Sequence, residues 1–302
     1  MTKANLHGHF NPDFSAYWLE RFDLTGKNIA QVAAEKCFEK GLEVYAITSE
    51  YDNEDNSGRV SDRFQFVLEH AKRLSRPYEL HTLGENSFVI AKDVGNKKVI
   101  FLNGQSIKVK EKDNLYEILT FGTNKVPNLM GFNETFKYLD GEGLPGIGEH
   151  VLCVDHHGIG KQRTEEFARE GKLTAIEHNA QLALPSCPSW TPVVGSYSKQ
   201  RNQEAKEISK RFGIPFIAND DSNAIEHIGT ANIEFNSGFL DTKDDESITK
   251  SLINIIKRKD FGTKEGYLPL KDWVKWAVWE VKIREQILHS KDKWERNIYN
   301  TS

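Results

Sequence analysis

The chain has 302 residues, of which 40 are basic and 44 acidic, so its formal net charge is −4 at pH 7. This length suits one large α/β domain or two smaller ones, and the charge excludes the broad basic surface of a non-specific nucleic-acid binder. The three cysteines are widely spaced without a C-x-x-C pair, which excludes a disulfide framework and a zinc–thiolate site. We therefore expect a cytoplasmic protein, and the lack of long apolar runs predicts no membrane contact.

Apolar runs of strand length alternate with segments of helical period along most of the chain. The predicted strands are, in chain order, ANLHGHF, LEVYAITS, KKVIFLNGQ, HVLCVDHH, LTAIEHNA, IPFIAND and ANIEFN. The predicted helices are NIAQVAAEKCFEKG, SDRFQFVLEHAKRL, KQRTEEFAREG, SKQRNQEAKEISKRFG and ESITKSLINIIKRK. This alternation indicates βαβ units that form a parallel sheet or barrel.

Two regions depart from the alternation. The segment from Asn103 to Gly148 has two Gly-rich patches and is predicted to be an insertion or long loop over one end of the barrel. The tail is predicted to be a long helix in which Trp273, Trp276 and Trp279 form one stripe, either packed on the barrel or used in an oligomer contact. We therefore predict a barrel over residues 1–240 and a helical extension over 241–302.

Titratable and amide side chains are concentrated at the ends of the predicted strands. In a parallel barrel these ends converge on one mouth, where active sites lie. Imidazoles and carboxylates crowded there would stay unpaired unless a cation organised them, so the pattern predicts a metal site. The residues are His7, His9, Glu50, Gln105, Asp155, His156, His157, Glu177, His178, Asn179, Asp220 and Asp221.

The first strand ends in the pattern H-x-H. Residues i and i+2 of a strand point to the same face, so His7 and His9 can reach one ion, and Gly8 leaves room between them. Nitrogen and oxygen ligands without thiolate suit Zn²⁺, Mn²⁺ or Fe²⁺.

These strand ends resemble the motifs of the PHP family (polymerase and histidinol phosphatase domains), whose members begin with a strand ending in H-x-H. The resemblance extends to about Phe239 and implies an α/β fold, a distorted (β/α)7 TIM-like barrel, here followed by a long C-terminal helix. The matching segments after the first are LEVYAITSEY, FLNGQSIKVKEKDNLYEILTFG, VLCVDHHG and IANDDSNAIEHIGTANIEF.

The resemblance implies metal ligands position by position. Four positions keep the residue type of the family: His7, His9, His156 and Asp221. Asp13 is added as the acidic ligand often found shortly after H-x-H. Four further positions carry a different residue type from the family: Glu50 for a histidine, Gln105 for the metal-bridging glutamate, Glu117 for a histidine and Asn223 for the last histidine.

These departures bear on the metals. Glu50 and Glu117 are oxygen ligands and favour harder ions such as Mn²⁺ or Mg²⁺. The neutral amide of Gln105 cannot bridge two cations as a carboxylate does, and Asn223 is a weak ligand. We therefore expect between one and three divalent ions of Mn, Zn, Fe or Mg, or a site that has lost catalysis.

Two other families share parts of these motifs. The string VDHHG occurs in the DHH phosphoesterases, but those enzymes need a D-x-D motif on an early strand, which this sequence lacks. An amidohydrolase barrel also begins with H-x-H, but it needs a bridging lysine on a middle strand, and KVIFLNGQ ends without one.

Two functions fit the PHP resemblance. The first is a metal-dependent phosphoesterase that acts on a small phosphorylated metabolite or nucleotide, with His156 and His157 as catalytic residues; long nucleic acid is a less favoured substrate. The second is a catalytically degenerate binding or scaffold protein. Gln105 and Asn223 favour the second function, whereas the retained histidines oppose it.

Overall fold

A computed structural model describes residues 1–9, 28–50, 62–154, 157–180, 199–269, 271–272 and 274, which form a mixed α/β fold. Its strands are β1 (Thr2–Gly8), β2 (Val44–Glu50), β3 (Tyr78–Thr82), β4 (Ser87–Lys92), β5 (Lys97–Glu111), β6 (Asn114–Phe121), β7 (Ile147–Gly148), β8 (Ala175–Asn179), β9 (Phe216–Asn219), β10 (Asn232–Phe235) and β11 (Phe261–Lys264). Its helices are α1 (Ile29–Lys40), α2 (Arg63–Ala71), α3 (Phe132–Gly141), α4 (Lys161–Arg169), α5 (Lys199–Phe212) and α6 (Asp245–Arg258).

The strands form one sheet in the order β11-β10-β1-β2-β5-β6-β7-β8-β9, with the β3–β4 hairpin attached to β5. The pairs β1–β2, β2–β5, β7–β8 and β8–β9 are parallel. Strand β6 runs antiparallel to both of its neighbours, and β10 runs antiparallel to β1. The predicted TIM-like barrel is thus confirmed, in a distorted form that includes antiparallel strands.

Strand β9 lies next to β1 and is joined to it by side-chain hydrogen bonds and isolated backbone hydrogen bonds, so that the sheet is nearly closed. The backbone N–H of Leu6 donates to Oδ1 of Asn219 (2.8 Å), and the N–H of Asp221 donates to the carbonyl of His7 (3.0 Å). The Asn219 amide also donates to Oε1 of Glu177 (2.9 Å). Asn219 therefore links three neighbouring strands at the level of the mouth.

Each barrel strand is buried on both faces, as β2 shows. Val44 and Ala46 belong to the apolar cluster inside the barrel, whereas Tyr45 and Ile47 pack outside it against α1 and α2. Alternate side chains of a strand point to opposite faces, so an apolar run with β-branched residues serves two cores. The apolar face of α6 packs against the interior cluster.

Inside the barrel, each strand changes from apolar to polar side chains at the same level. Along β5 the inward positions are Ile100 and Leu102, then Ser106 and Lys108. The same change occurs along β2, β7, β8 and β9 and, in the reverse chain direction, along β6. One end of the interior is therefore an apolar core, and the other end is a polar mouth.

One loop prediction and one strand prediction are wrong. The segment from Asn103 to Gly148 is no loop, because it contains the end of β5, all of β6, helix α3 and β7. In the run HVLCVDHH, the described residues His150–Val154 form no strand either, because β7 ends at Gly148 and the backbone then turns. Val151 and Leu152 are apolar because they pack in the outer core beside α4, so their composition resembles that of a buried strand.

The predicted C-terminal helix, with Trp273, Trp276 and Trp279, lies outside the described residues. Within 241–302 the structure describes α6 and also β11, which pairs with β10. The division into a barrel and a helical extension stays a prediction. Among the described residues, no helix combines the length and the apolar character that crossing a bilayer requires.

We expect Asn219→Ala to destabilise the protein, because it leaves the buried N–H of Leu6 without an acceptor and removes a donor from Glu177. The expected loss is about 2–4 kcal/mol in the free energy of unfolding. Urea unfolding monitored by circular dichroism of the metal-free protein measures it. The control is Asn236→Ala: Asn236 is exposed and accepts from the Gly238 N–H, and its replacement should cost less than about 1 kcal/mol. A loss for Asn219→Ala no larger than that of the control would contradict the link across β9 and β1.

Candidate metal centre

A change of register in β1 turns both histidines of the H-x-H pattern into the barrel. Ala4 and Leu6 face the interior core, and the pairing of β1 with β2 shifts between Asn5 and Gly8. The Asn5 carboxamide accepts from the backbone N–H of His7 (2.9 Å) at this irregularity. Regular alternation after the inward-facing Leu6 would turn His7 and His9 outward. The irregularity turns both histidines inward instead.

Gly8 is required by its neighbour on β2. A Cβ built on Gly8 would overlap the hydroxyl of Tyr45, which lies 2.5 Å from Oγ of Ser222. The glycine thus leaves room for the buried ring of Tyr45 on the outer face of the strand, whereas the sequence predicts room for an ion between the histidines.

Four ligand-type atoms converge at the ends of three strands. The Nε2 atoms of His7 and His9 lie 2.9 Å apart, and Oε1 of Glu149 lies 3.3 Å from His7 Nε2. Oδ1 of Asp221 lies 3.4 Å from His7 Nε2 and 3.1 Å from His9 Nε2. All four side chains are buried. We call these four residues the His7 group.

Glu177, at the middle of β8, fixes the orientation of the His7 ring. Its Oε1 lies 2.6 Å from His7 Nδ1, and its Oε2 accepts from the backbone N–H of His150 (3.1 Å). A carboxylate on Nδ1 selects the tautomer whose Nε2 lone pair is free to bind a metal. Glu177 therefore acts on the site through His7.

A second set of ligand-type atoms lies beside the first and shares Glu149. Nε2 of His150 lies 3.3 Å from Oε1 of Glu149 and 3.1 Å from Oε2 of Glu117. The other oxygen of Glu149 accepts from the Ser106 hydroxyl (2.8 Å). We call Glu117, Glu149 and His150 the His150 group. One oxygen of Glu149 therefore faces both groups.

Two buried cationic side chains, those of Arg63 and Lys108, border the groups. Arg63 Nη2 lies 2.8 Å from Glu50 Oε2, and its Nη1 lies 2.6 Å from His9 Nδ1, which is also 3.2 Å from the Thr48 carbonyl. Glu50 Oε1 lies 3.1 Å from His9 Nε2. Burial would raise the pKa of Glu50, but the positive charges of Arg63, His9 and Lys108 outweigh burial and hold this pKa well below its usual value. His9 can bind a metal through Nε2 only as the tautomer that donates Nδ1–H to the Thr48 carbonyl, and this requires the Arg63 guanidinium, which can only donate, to move away from Nδ1.

The pKa values show that the two groups attract cations. Burial alone would lower the pKa of His7, but Glu177, Asp221 and Glu149 raise it well above its usual value. Burial would also lower the pKa of His150, but Glu117 and Glu149 raise it well above its usual value. The pKa of Glu149 is lowered, because its two histidine neighbours outweigh the effect of burial. A negative potential that holds protons on imidazoles also favours a divalent ion.

The spacing of the donor atoms fits a divalent ion. An ion with bonds of about 2.1 Å holds neighbouring ligand atoms about 3.0 Å apart in octahedral and about 3.4 Å apart in tetrahedral geometry. The contacts within the His7 group span 2.9–3.4 Å. In the His150 group the ligand atoms also lie within 4.8 Å of one another. The residues present therefore fit a metal in the first group and could hold one in the second.

The structure brings some of the predicted ligands together and leaves others apart. His7, His9, Glu50, Glu117 and Asp221 lie in or beside the two groups. Asp13 and His156 fall outside the described residues.

Two predicted site residues, Gln105 and His157, have side chains that lie apart from both groups. Gln105 points to the outer face of β5, where its amide donates to the Val126 carbonyl (2.8 Å) and accepts from the Val126 N–H (2.9 Å). His157 is exposed, and its Nδ1 lies 3.2 Å from the Leu115 carbonyl. Asn223 is half-buried two residues after Asp221.

Glu149 and His150 were missed because the strand before them was misplaced. They follow β7, a two-residue strand. The surrounding sequence GIGEH lacks the apolar run that marks the other strands. Glu177 was noted at a strand end without a role. Lys108 was missed because a lysine in the middle of a strand is typically exposed. Strict alternation along β5 would have placed Ser106 and Lys108 inside and Gln105 outside.

Comparisons with known proteins identify a similar fold but no protein of similar sequence. No protein-family model and no curated protein matches the sequence. The structure is similar to PsfC from Pseudomonas syringae, with a TM-score of 0.55 and 11% sequence identity, covering 95% of this chain and 98% of that one. A two-domain protein from Bacteroides vulgatus, described as containing a predicted PHP-like metal-dependent phosphoesterase, matches with a TM-score of 0.48 and 12% identity, covering 88% of this chain and 65% of that one. The likeness to PsfC shows a shared fold.

We expect Glu177→Gln to lower the affinity for Mn²⁺ by about 10–100-fold, because the charged acceptor on His7 Nδ1 is lost. Isothermal titration calorimetry of the metal-free protein measures the affinity. The matched control is Glu234→Gln on β10, whose carboxylate is partly exposed and pairs with Lys3. Equal affinities for the two variants would show that Glu177 does not orient a ligand.

Proposed function

We propose that the chain is a metal-dependent phosphoesterase of the PHP type that acts on a small phosphorylated metabolite or nucleotide. The observation that carries the proposal is the convergence of His7, His9, Glu149 and Asp221 on one point of the mouth. Ligand-type side chains from three separate segments of the chain meet here, and because all four are buried, they would be costly to the fold without a partner that balances them.

Charge balance supports at least one divalent ion and, when two ions are bound, an anionic substrate. The described mouth contains five carboxylates and two cationic side chains, which leave three negative charges when the histidines are neutral. These residues are Glu50, Glu117, Glu149, Glu177, Asp221, Arg63 and Lys108. With one divalent ion the net charge of the mouth is −1. With two ions it is +1, and a positive net charge favours binding of a phosphate group.

The metal would supply the central chemistry. When bound, a divalent ion acts as a Lewis acid that makes water a better nucleophile at neutral pH and stabilises negative charge on phosphoryl oxygens. His7, His9, Glu149 and Asp221 would hold it. Glu177 keeps the His7 ring in place, and Asn179 Nδ2 donates to Oδ2 of Asp221 (2.8 Å), which leaves Oδ1 for the ion.

The remaining predicted residues keep proposed roles. Asp13 and His156 are further candidate ligands, with His156 also a candidate for contact with the phosphate. His157 is a candidate proton donor only if substrate binding brings its exposed ring toward the mouth, because it now faces the Leu115 carbonyl. Glu50 and Glu117 are candidate oxygen ligands at the edges of the two groups.

The alternative is a degenerate member that binds a ligand without turnover. One observation favours it: Lys108 and Arg63 already neutralise part of the carboxylate charge that a full set of metal ions would balance. Such a protein would still bind metal or an anion through the His7 group, but it would not hydrolyse phosphoesters under any metal condition.

The test is a pair of histidine variants measured for metal and for hydrolysis. We expect wild-type protein reconstituted with Mn²⁺ to hydrolyse a chromogenic phosphomonoester or phosphodiester, and His9→Ala to lower both Mn²⁺ affinity and turnover by more than about 100-fold. His81→Ala, which alters an exposed histidine on β3, should leave both unchanged.

The outcomes separate the two functions. Metal bound through His7 and His9 without turnover on phosphoesters would support the binding protein over the enzyme. Elemental analysis showing no bound metal after reconstitution, together with no turnover, would contradict the phosphoesterase proposal.

A further inference from the structure

Lys108 places a positive charge inside the His150 group. It lies on the inward face of β5, is only 9% exposed, and its ammonium pairs with Oε1 of Glu117. An ammonium paired with a buried carboxylate in this way keeps its proton, because the neutral amine would leave the carboxylate without a charge partner.

Glu117 is shared between this ammonium and the imidazole of the same group. Its Oε1 faces Lys108, and its Oε2 lies 3.1 Å from Nε2 of His150. A divalent ion held by Glu117, Glu149 and His150 would lie within a few ångströms of the ammonium. Two cations this close in a buried site repel each other strongly.

The His7 group differs in this respect. The cationic side chain that contacts a histidine of this group is Arg63, which meets Nδ1 of His9, on the side of the ring away from Nε2. The imidazole thus separates the guanidinium from the point where the Nε2 atoms and carboxylates converge. The two adjacent groups share Glu149 but have different electrostatic surroundings.

We infer that Lys108 competes with a divalent ion for the His150 group, so that the His7 group binds metal tightly and the His150 group binds it weakly. This inference rests on the proposed metal centre. In this arrangement the second group has a fixed positive charge whether or not an ion is bound. The protein would then retain one tightly bound ion plus an ammonium at low metal concentration, and would gain a second ion only when metal is abundant.

The experiment is calorimetric titration of metal-free protein with Mn²⁺, paired with elemental analysis after dialysis. For Lys108→Gln we expect the tight binding event to stay within about twofold of wild type, and the second event to become tighter by about tenfold or more. Glutamine can still donate to Glu117, so the variant removes the charge with little change in shape. His150→Ala should abolish the second event.

Two lysine variants serve as controls. Lys108→Arg keeps the positive charge and should bind the second ion as weakly as wild type. Lys110→Gln alters an exposed lysine two residues further along β5 and should match wild type in both events. Thermal unfolding of each variant, followed by circular dichroism, checks that the fold is retained.

The outcomes distinguish this inference from the proposed function. A second event in Lys108→Gln that is unchanged, weaker or absent, with the tight event intact, would overturn the competition and show that Lys108 positions Glu117 instead. Loss of all metal binding in wild-type protein would overturn the competition together with the metal centre itself.

Discussion

One carboxylate oxygen holds the centre of this mouth together. Oε1 of Glu149 lies 3.3 Å from Nε2 of His7 on one side and 3.3 Å from Nε2 of His150 on the other. Because the carboxylate is buried, it must be balanced by positive charge, either protons on the two imidazoles or ions between them. The surrounding residues follow from this requirement: Ser106 fixes the second oxygen of Glu149, and Glu177 orients His7.

The barrel meets this requirement through strand geometry. Inward positions change from apolar to polar at one level on neighbouring strands, so short side chains from different strands reach the same point. The irregular register of β1 adds two histidines to this level, and Asn219 links β9 to β1 beside them. The backbone that closes the barrel also positions the ligands, so changes that loosen the closure will also loosen the site.

The sequence allowed the fold class and about half of the candidate site to be predicted. Long alternating segments gave most strands and helices, and H-x-H at a strand end gave His7 and His9 directly. The residues Glu149 and His150 could not be found this way, because a two-residue strand carries too little periodicity to be recognised. Gln105 was placed in the site by motif position, whereas the alternation along β5 turns it outward, toward the backbone of Val126.

If Lys108 competes with metal, Glu149 is shared by two cation-binding groups with unequal affinity. The most direct measurement is anomalous X-ray diffraction from crystals soaked in low and in high concentrations of Mn²⁺. We expect one anomalous peak at the His7 group at low concentration, and a second peak on the other side of Glu149 at high concentration. An absence of peaks at both concentrations, or a first peak that lies away from the His7 and His9 Nε2 atoms, would contradict the claim.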